Sequence, residues 1–236
     1  MKRSWWKQAP TYRRLAAMTA RSPLKSDFEV SLEGTHHGPW VTTPSMFAEI
    51  GSQQEQWKRR DAADLWADVL VHELLGGSSG PSDDVTSGNW WDALGKNGGN
   101  GRRAEDGEGS KSIALVCIGG GHYAPKHGDL VRGAGAHVFL GHILPSYTMD
   151  FTGNASEWQD CVRDAVEATR KGFAPGTPEI VCHIDRKAFK AQQRDELVGF
   201  LEQQLGLRVV FQAIQFAQPA KQPAQILEGQ KLEVSV

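Results

Sequence analysis

The sequence predicts an α/β fold with a mixed or mostly parallel sheet that is flanked by helices. Short apolar runs of strand length alternate with longer segments of helical period, and several of the runs end in glycine-rich turns. This alternation is typical of parallel βαβ units. The 236 residues, of which 39% are hydrophobic, are enough to bury the core of one domain.

The amino-terminal quarter contains helix and strand signals. Its first 26 residues include seven basic and no acidic side chains, which an organelle presequence would also show. The spacing of Trp5, Tyr12, Leu15 and Met18 instead favours a basic amphipathic helix. Short strands are predicted at 28–32 and 46–50.

A second helix is predicted to follow these strands. Ser52 and Glu55 match a capping box, and Gly76-Gly77 ends the helical pattern. Its apolar stripe consists of Trp57, Ala62, Leu65, Trp66, Val69, Leu70 and Leu74.

Residues 76–111 differ in composition from the rest of the chain. They are rich in Gly, Ser, Asn and Asp, so they bury too little apolar surface to offset the entropy of ordering them. We expect a disordered insertion within a single domain that spans residues 1–217. Residues 218–236 are polar and are expected to form a carboxyl-terminal tail.

The second half of the chain repeats strand and helix signals. Asn154, with Glu157 three residues later, predicts a helix that ends at Gly172, and a second helix is expected over 192–205. Strands are predicted at 113–118, 136–140, 180–184 and 207–211.

Composition excludes several classes of protein. No apolar run reaches membrane-spanning length, and a net charge of −2 gives no general attraction to nucleic acid, so any RNA contact needs a local basic patch. Cys117, Cys161 and Cys182 form no CxxC pair, which argues against a disulfide framework. We expect a reduced, cytoplasmic protein.

The run from Gly119 to Asp129 is the strongest motif. It follows a predicted buried strand and combines three glycines with histidines, a tyrosine and a lysine. Its glycines formally match a dinucleotide fingerprint, but Pro125 and Gly128 are expected to interrupt the helix that this fingerprint requires. Cys117, inside the strand, is interpreted as a core residue rather than a nucleophile.

Five of the eight histidines lie in three glycine- and proline-containing motifs, at 35–39, 119–129 and 141–145. Each motif follows a predicted strand, and such loops meet at the carboxyl edge of a parallel sheet. The histidines could bind zinc, act as general acid or base, or cap loops. His72, His137 and His183 are expected to be ordinary packing or surface residues.

Three further polar residues are candidates. Glu49, at the end of a predicted strand, is placed to orient a histidine or a water. Lys126 and Arg132 flank the glycine run and are placed to meet phosphate.

These motifs together resemble a known family. Thr35 to Pro39, Phe47 to Ser52, Gly119 to Lys126 and Gly141 to Pro145 resemble, in order and spacing, the archaeal and plant type of D-aminoacyl-tRNA deacylase. The resemblance covers about residues 10–75 and 112–212.

The resemblance implies hydrolysis of the ester between a D-amino acid and tRNA, with Zn²⁺ as cofactor and tRNA as partner. It implies a fold likened to peptidyl-tRNA hydrolase and the phosphorylases, and we expect a monomer that does not contact membranes. The expected catalytic residues are His36, His37, Glu49 and His122, and the expected zinc ligands are His36, His37 and His122. The expected substrate-binding residues are Gly119, Gly120, Gly121, Tyr123, Lys126 and His142.

The sequence also departs from the family pattern. Family members carry a further amino-terminal portion, so we expect a truncated member, and Gln53 stands where a small or acidic residue is usual. Two alternatives therefore stay open: an inactive fragment that retains a tRNA-binding surface, and an enzyme resembling nucleoside phosphorylases.

Overall fold

The computed structural model describes residues 5–34, 46–51, 53–75, 112–173 and 178–212. Its α-helices are α1 (Trp5–Arg21), α2 (Arg60–Leu75), α3 (Pro125–Gly133), α4 (Ala155–Lys171) and α5 (Ala191–Gly199). Its strands are β1 (Ile113–Ile118), β2 (Val138–Leu144), β3 (Glu179–Ile184) and β4 (Arg208–Val210). Short 3₁₀ turns occupy Pro23–Ser26, Ser146–Thr148 and Arg186–Ala188, and a π-helical turn, Phe200–Gln204, continues α5.

The four strands form one sheet in the order β2-β1-β3-β4, and all neighbouring pairs are parallel. This confirms the predicted α/β class. The expected helix α1, the Asn154 cap of α4 and the four strands of the second half are all present. The capping oxygen of Asn154 accepts a hydrogen bond from the amide of Ser156 at 3.1 Å.

Helices cover both faces of the sheet. One face packs on α4 and α5, with Trp158, Phe200 and Leu201 buried in that layer. The opposite face packs on α1 and α3, where Tyr12 and Leu130 are buried. Burial on both faces explains why β1 reads as a continuous apolar run.

Arg13 joins α1 to the sheet. Its guanidinium donates to the carbonyls of Val131 and Val138, each at 2.8 Å. The basic character of α1 is therefore used partly in internal contacts. No helix within the described ranges is both long and apolar enough to cross a membrane.

The predicted strands at 28–32 and 46–50 are wrong, since neither segment forms a strand. Val30 and Leu32 pack against the core at half-buried positions, and the chain then makes a single antiparallel bridge between Glu33 and Tyr123. Alternating apolar residues predicted a strand here. Val30 and Leu32 bury their side chains against the core, but this segment forms no continuous strand pairing with the described residues.

The predicted start of α2 is also wrong. The helix begins at Arg60, Trp57 lies before it and is 62% exposed, and Gly51 turns the chain with φ of +65°. Ser52, the predicted cap, lies outside the described residues. Arg59 instead pairs with Asp27 and Asp61, at 2.9 and 2.7 Å, at the start of the helix.

Pro125 and Gly128 do not interrupt a helix, contrary to the prediction. Pro125 occupies the first turn of α3, a position where its missing N–H has no intrahelical partner in any case. Gly128 is buried against the hydroxyl of Tyr12, 2.5 Å from where a Cβ would stand. Glycine is therefore required here for close packing of α1 on α3.

Strand β2 extends further than predicted. Residues 141–144 belong to it and not to a loop, and the loop begins at Pro145. A Cβ on Gly141 would collide with Thr169 and would lie 2.9 Å from the carbonyl of Leu115. The glycine at this position therefore marks a close approach inside the sheet.

The predicted insertion at 76–111 and the tail at 218–236 lie outside the described residues. The single-domain boundary at 217 also stays a prediction.

Candidate functional site

Three loops meet at the carboxyl edge of the sheet. The loop after β1 is joined to β2 by a bond from the Gly119 amide to the Leu144 carbonyl at 2.8 Å. The loop after β3 is joined to β1 by a bond from the Asp185 amide to the Ile118 carbonyl at 2.9 Å. Ligands of open α/β sheets bind at this edge.

The first of these loops, Gly119–Gly121, has a backbone that requires glycine. Gly119 and Gly120 have φ of +103° and +79°, and a Cβ on Gly119 would lie 2.8 Å from Cε2 of Phe189. The carbonyl of Gly120 accepts hydrogen bonds from both the amide and the hydroxyl of Ser146, each at 3.0 Å. The loop is thus held in place from the β2 side.

The outer side of this loop meets none of the described residues. No atom of theirs lies within 4 Å of where a Cβ on Gly121 would stand. Within the described ranges, the amide N–H groups of Gly120 and Gly121 donate to no acceptor. Two adjacent amides at the carboxyl edge thus have no acceptor among the described residues.

His122 follows the loop and is oriented by a carboxylate. Its Nε2 lies 3.1 Å from Oε1 of Glu33, and the two side chains are 35% and 33% exposed. A bond from the Gly34 amide to the His122 carbonyl, at 2.9 Å, fixes the two chain segments together. Because a carboxylate only accepts, Nε2 is the ring nitrogen that carries a hydrogen in this contact.

Two more residues from the predicted set follow His122 in the chain. Tyr123 is 50% exposed, and its ring meets the edge of the His122 ring at 4.6 Å between centroids. Lys126 is exposed in the first turn of α3. Arg132, on the same helix, pairs with Asp129.

Glu49 and His142 do not join this group. Glu49 is exposed in the segment 46–51, where its carbonyl accepts from Nε1 of Trp66 at 3.3 Å. His142 lies inside β2, with Nδ1 3.0 Å from the hydroxyl of Thr169 on α4. His36 and His37 lie outside the described residues.

Sequence reasoning missed two acidic residues at this edge. Glu33 lies two residues before the 35–39 motif, so its place in the chain was a usable signal. Asp185 is half-buried after β3 and accepts from the amide of Lys187 at 3.0 Å. Its Oδ2 lies 3.9 Å from where a Cβ on Gly120 would stand, which no sequence spacing reveals.

A second group of side chains lies inside the protein, close to the same loop. Nδ1 of His127 lies 2.6 Å from Nδ1 of His183, and Nε2 of His127 lies 3.1 Å from the carbonyl of Gly119. With Cys117 these residues bring three ligand atoms within 4.8 Å of one another, close enough for all three to bind one metal ion. The prediction of ordinary packing for His183 is therefore incomplete.

Burial governs the ionisation of this inner group. It lowers the pKa of His127 and, together with the neighbouring His127 ring, lowers the pKa of His183 to about 3. Burial likewise raises the pKa of the Cys117 thiol. Without a bound cation, the neutral forms are favoured.

Comparison with known proteins gives the family. The sequence model of the family described as D-aminoacyl-tRNA deacylase matches residues 6–210. A D-aminoacyl-tRNA deacylase of Arabidopsis thaliana is 35% identical over 83% of this chain and 58% of its own length. One of Methanosarcina barkeri is 29% identical over 78% of this chain and 44% of its own length.

A solved structure shares the fold. The crystal structure of a conserved protein of unknown function, AF0625, superposes with a TM-score of 0.60 at 22% identity, over 92% of this chain and 59% of that one. The chain thus spans about half the length of the relatives it matches. With a family model that matches almost the whole described chain, the protein belongs to the D-aminoacyl-tRNA deacylase family.

Proposed function

We propose that this chain hydrolyses the ester bond of D-aminoacyl-tRNA, releasing the D-amino acid and free tRNA. The observation that carries the proposal is the pairing of His122 with Glu33 beside two adjacent amides of the glycine loop. The family assignment supports the same reaction, since the named relatives are D-aminoacyl-tRNA deacylases.

Water is activated at His122. Glu33 orients the His122 ring through Nε2, and the role proposed for Nδ1 is to accept a proton from water or to bind a metal ion. A carboxylate behind the ring also stabilises the positive charge that protonation creates. Glu33 is a positioning residue in this account, because it acts through His122.

The glycine loop stabilises the charge that develops on the ester oxygen. Attack of water turns the carbonyl oxygen into an oxyanion, which needs donors fixed before the reaction. The amides of Gly120 and Gly121 are such donors, and Ser146 holds the loop from behind. As the ester C–O bond breaks, the ribose oxygen of the tRNA takes up a proton and the amino acid leaves as a carboxylate.

Charged residues at the edge fit the other parts of the substrate. The aminoacyl group carries an α-ammonium, and the half-buried Asp185 carboxylate beside Gly120 is placed to bind it. The exposed Lys126 ammonium is placed to meet a phosphate of the tRNA. Tyr123 offers a ring on which a terminal base can stack.

Zinc fits the same position. A histidine whose second ring nitrogen is bonded to a carboxylate is the usual arrangement around a zinc ligand, and His122 has it. We propose His36, His37 and His122 as the residues that would hold Zn²⁺, which would supply a bound water with a pKa lowered to about 7. Residues 36 and 37 follow Gly34 in the chain, and Gly34 is bonded to His122.

The remaining parts of the proposal concern the whole protein. We propose a cytoplasmic monomer that acts in translation quality control. The three cysteines, all unpaired with one another, are consistent with a reducing compartment.

The test is hydrolysis of matched substrates. The purified chain is incubated with D-tyrosyl-tRNA and with L-tyrosyl-tRNA at equal concentration, and release of labelled tyrosine is followed. We expect release from the D-ester well above the rate without protein, and little release from the L-ester. Equal release at the background rate from both esters would refute the proposal.

A further inference from the structure

The loop that follows β3 concentrates positive charge which the proposed hydrolysis does not use. The ten residues from Asp185 to Arg194 include four basic side chains and one acidic one, in a chain whose net charge is −2. Arg186, Lys187 and Lys190 are exposed, and none of them forms an ion pair with a described carboxylate. Elsewhere several basic side chains of the surface have such a partner: Arg59, Arg132, Arg163, Lys171 and Arg208.

This basic loop is fixed beside the glycine loop. Phe189 is buried, and its Cε2 lies 2.8 Å from where a Cβ on Gly119 would stand. The Asp185 amide donates to the Ile118 carbonyl at 2.9 Å, and the Asp185 carboxylate accepts from the Lys187 amide at 3.0 Å. The basic side chains therefore start from a hydrogen-bonded backbone at the same edge of the sheet as the proposed hydrolysis.

Two arginines of this region line an open pocket of about 430 Å³ between α5, the π-helical turn and Phe211. The Arg186 guanidinium lies over the Phe211 ring, 5.3 Å from its centroid, and this cation–π contact holds it at the pocket wall. Arg194 lies 3.6 Å from Asp195, and its side chain is 23% exposed. Asp195 and Glu202 also line the pocket, so the charge within it is balanced and the excess positive charge comes from the adjoining loop.

Guanidinium and ammonium groups suit phosphate. An arginine presents a planar fork of N–H donors that matches two phosphate oxygens, and a lysine supplies a compact positive charge. The proposed substrate brings phosphates to this edge, because its ester is carried by the last nucleotide of a phosphodiester chain. It also carries an α-ammonium, for which Asp185 is placed. The sign of the charge thus changes between Asp185 and Arg186, as it does between the two parts of the substrate.

We propose that Arg186, Lys187, Lys190 and Arg194 form a basic surface that binds the phosphate backbone of the tRNA acceptor end. The inference rests on the proposed function, because that function makes tRNA the substrate. Lys126 lies on α3, which packs on the opposite face of the sheet from α5, so this basic surface is a second contact and the larger one. Such a local concentration of charge lets a chain of negative net charge bind a polyanion.

Binding of uncharged tRNA tests this basic surface without depending on hydrolysis. The affinities of wild-type protein and of the Arg186→Gln/Lys187→Gln double variant are measured at several salt concentrations. We expect the double variant to bind about tenfold more weakly at about 0.1 M salt. The slope of the logarithm of the association constant against the logarithm of the salt concentration is expected to fall by about 1.5 to 2.

The Arg170→Gln/Lys171→Gln double variant is the matched control. It removes the same two types of side chain from exposed positions in the last turn of α4. This turn lies toward the amino edge of the sheet, since the Phe173 ring packs 5.6 Å from the Phe139 ring near the start of β2. The six residues of β1 separate the two edges by about 20 Å, which is about twice the Debye length at 0.1 M salt.

We expect the control to bind tRNA within about twofold of wild type, because its two charges are screened from the carboxyl edge. A tenfold loss confined to the Arg186→Gln/Lys187→Gln variant would support the basic surface. Equal losses of affinity in the two double variants would overturn it, since net charge alone would then explain the binding.

Hydrolysis of D-tyrosyl-tRNA separates this inference from the proposed function. In the Arg186→Gln/Lys187→Gln variant we expect KM to rise about tenfold and kcat to stay within about twofold, because the lost contacts lie away from the reacting ester. If wild type releases tyrosine but the variant keeps the wild-type tRNA affinity, salt slope and KM, the basic surface is wrong and the proposed function stands. If wild type releases no tyrosine but only this variant loses tRNA affinity, the proposed function is wrong and the basic surface stands.

Discussion

His122 and His127 lie five residues apart in one motif, yet their environments are opposite. The side chain of His122 is 35% exposed and faces a carboxylate, whereas His127 is fully buried and faces a carbonyl and a second imidazole. The turn into α3 separates them: His122 precedes the helix, and His127 lies on its inner side. One glycine-rich motif thus supplies the proposed catalytic group, His122, and a buried group, His127, that contacts the loop carbonyl of Gly119.

The largest expected effect is on the exposed histidine. His122→Gln removes the group that we propose activates water, so we expect the hydrolysis rate to fall about 10²- to 10⁴-fold. Because the side chain is partly exposed, the free energy of unfolding is expected to change by less than about 0.5 kcal/mol. Initial rates measure the activity, and urea unfolding of the same preparation measures the stability. A variant that loses stability but keeps its activity would contradict the contrast between His122 and His127.

The buried histidine is expected to show the reverse. His127→Leu leaves the Gly119 carbonyl and the His183 ring without their partner, which we expect to lower the free energy of unfolding by about 3–4 kcal/mol. Urea unfolding measures this, and His72→Gln, a half-buried position on α2, serves as control with a change within about 0.5 kcal/mol. Equal stability of the two variants would refute the structural role of His127.

Two glycine substitutions test the Gly119–Gly121 loop, which precedes both histidines in the chain. Gly119→Ala places a Cβ 2.8 Å from Phe189 in a backbone with positive φ, so we expect a loss of about 2–3 kcal/mol in stability. Gly121→Ala meets no atom of the described residues within 4 Å, and Gly121 has no positive φ. Its stability is expected to stay within about 0.5 kcal/mol of wild type, and a similar loss in both variants would contradict the described loop.

Glu33 tests whether His122 is oriented as described. Glu33→Gln keeps the shape of the side chain but removes its charge, and we expect the hydrolysis rate to fall about 10- to 100-fold. This loss is smaller than that of His122→Gln. In the double variant the two losses should not add, because Glu33 acts through His122; additive losses would assign Glu33 a separate role.

The smallest expected effect is at Asp185. Asp185→Asn removes the negative charge that we propose binds the α-ammonium of the substrate. Because Asp185 is only half-buried, we expect KM to rise only about three- to tenfold. The rate at saturating substrate is expected to change little. A substrate with a blocked amino group should not distinguish the variant from wild type, and a difference there would exclude this contact.

The fold was largely predictable because its signals are local. Continuous apolar runs and the Asn154 cap specify β1 and α4 whatever lies around them. The errors arose where contacts between residues distant in the sequence determine the local structure. Gly141 and Gly128 look like breakers in the sequence, but each is required by a close approach of another element, Thr169 in one case and Tyr12 in the other.

The site was predictable in part for the same reason. The glycine loop and His122 form one continuous motif, so their place at the strand end follows from β1 alone. Glu33 contacts His122, which lies 89 positions away in the chain, and His127 contacts His183, which lies 56 positions away. Asp185 joins this edge through its close approach to Gly120. No periodicity in the sequence records such contacts.

The central claim is that His122, and not His127, carries the chemistry of this edge. The most direct measurement compares the initial rates at which wild-type protein and the His122→Gln variant release tyrosine from D-tyrosyl-tRNA. We expect release by wild type, at least a hundredfold slower release by the variant, and unchanged unfolding of the variant. Release by the variant at the wild-type rate would contradict the account.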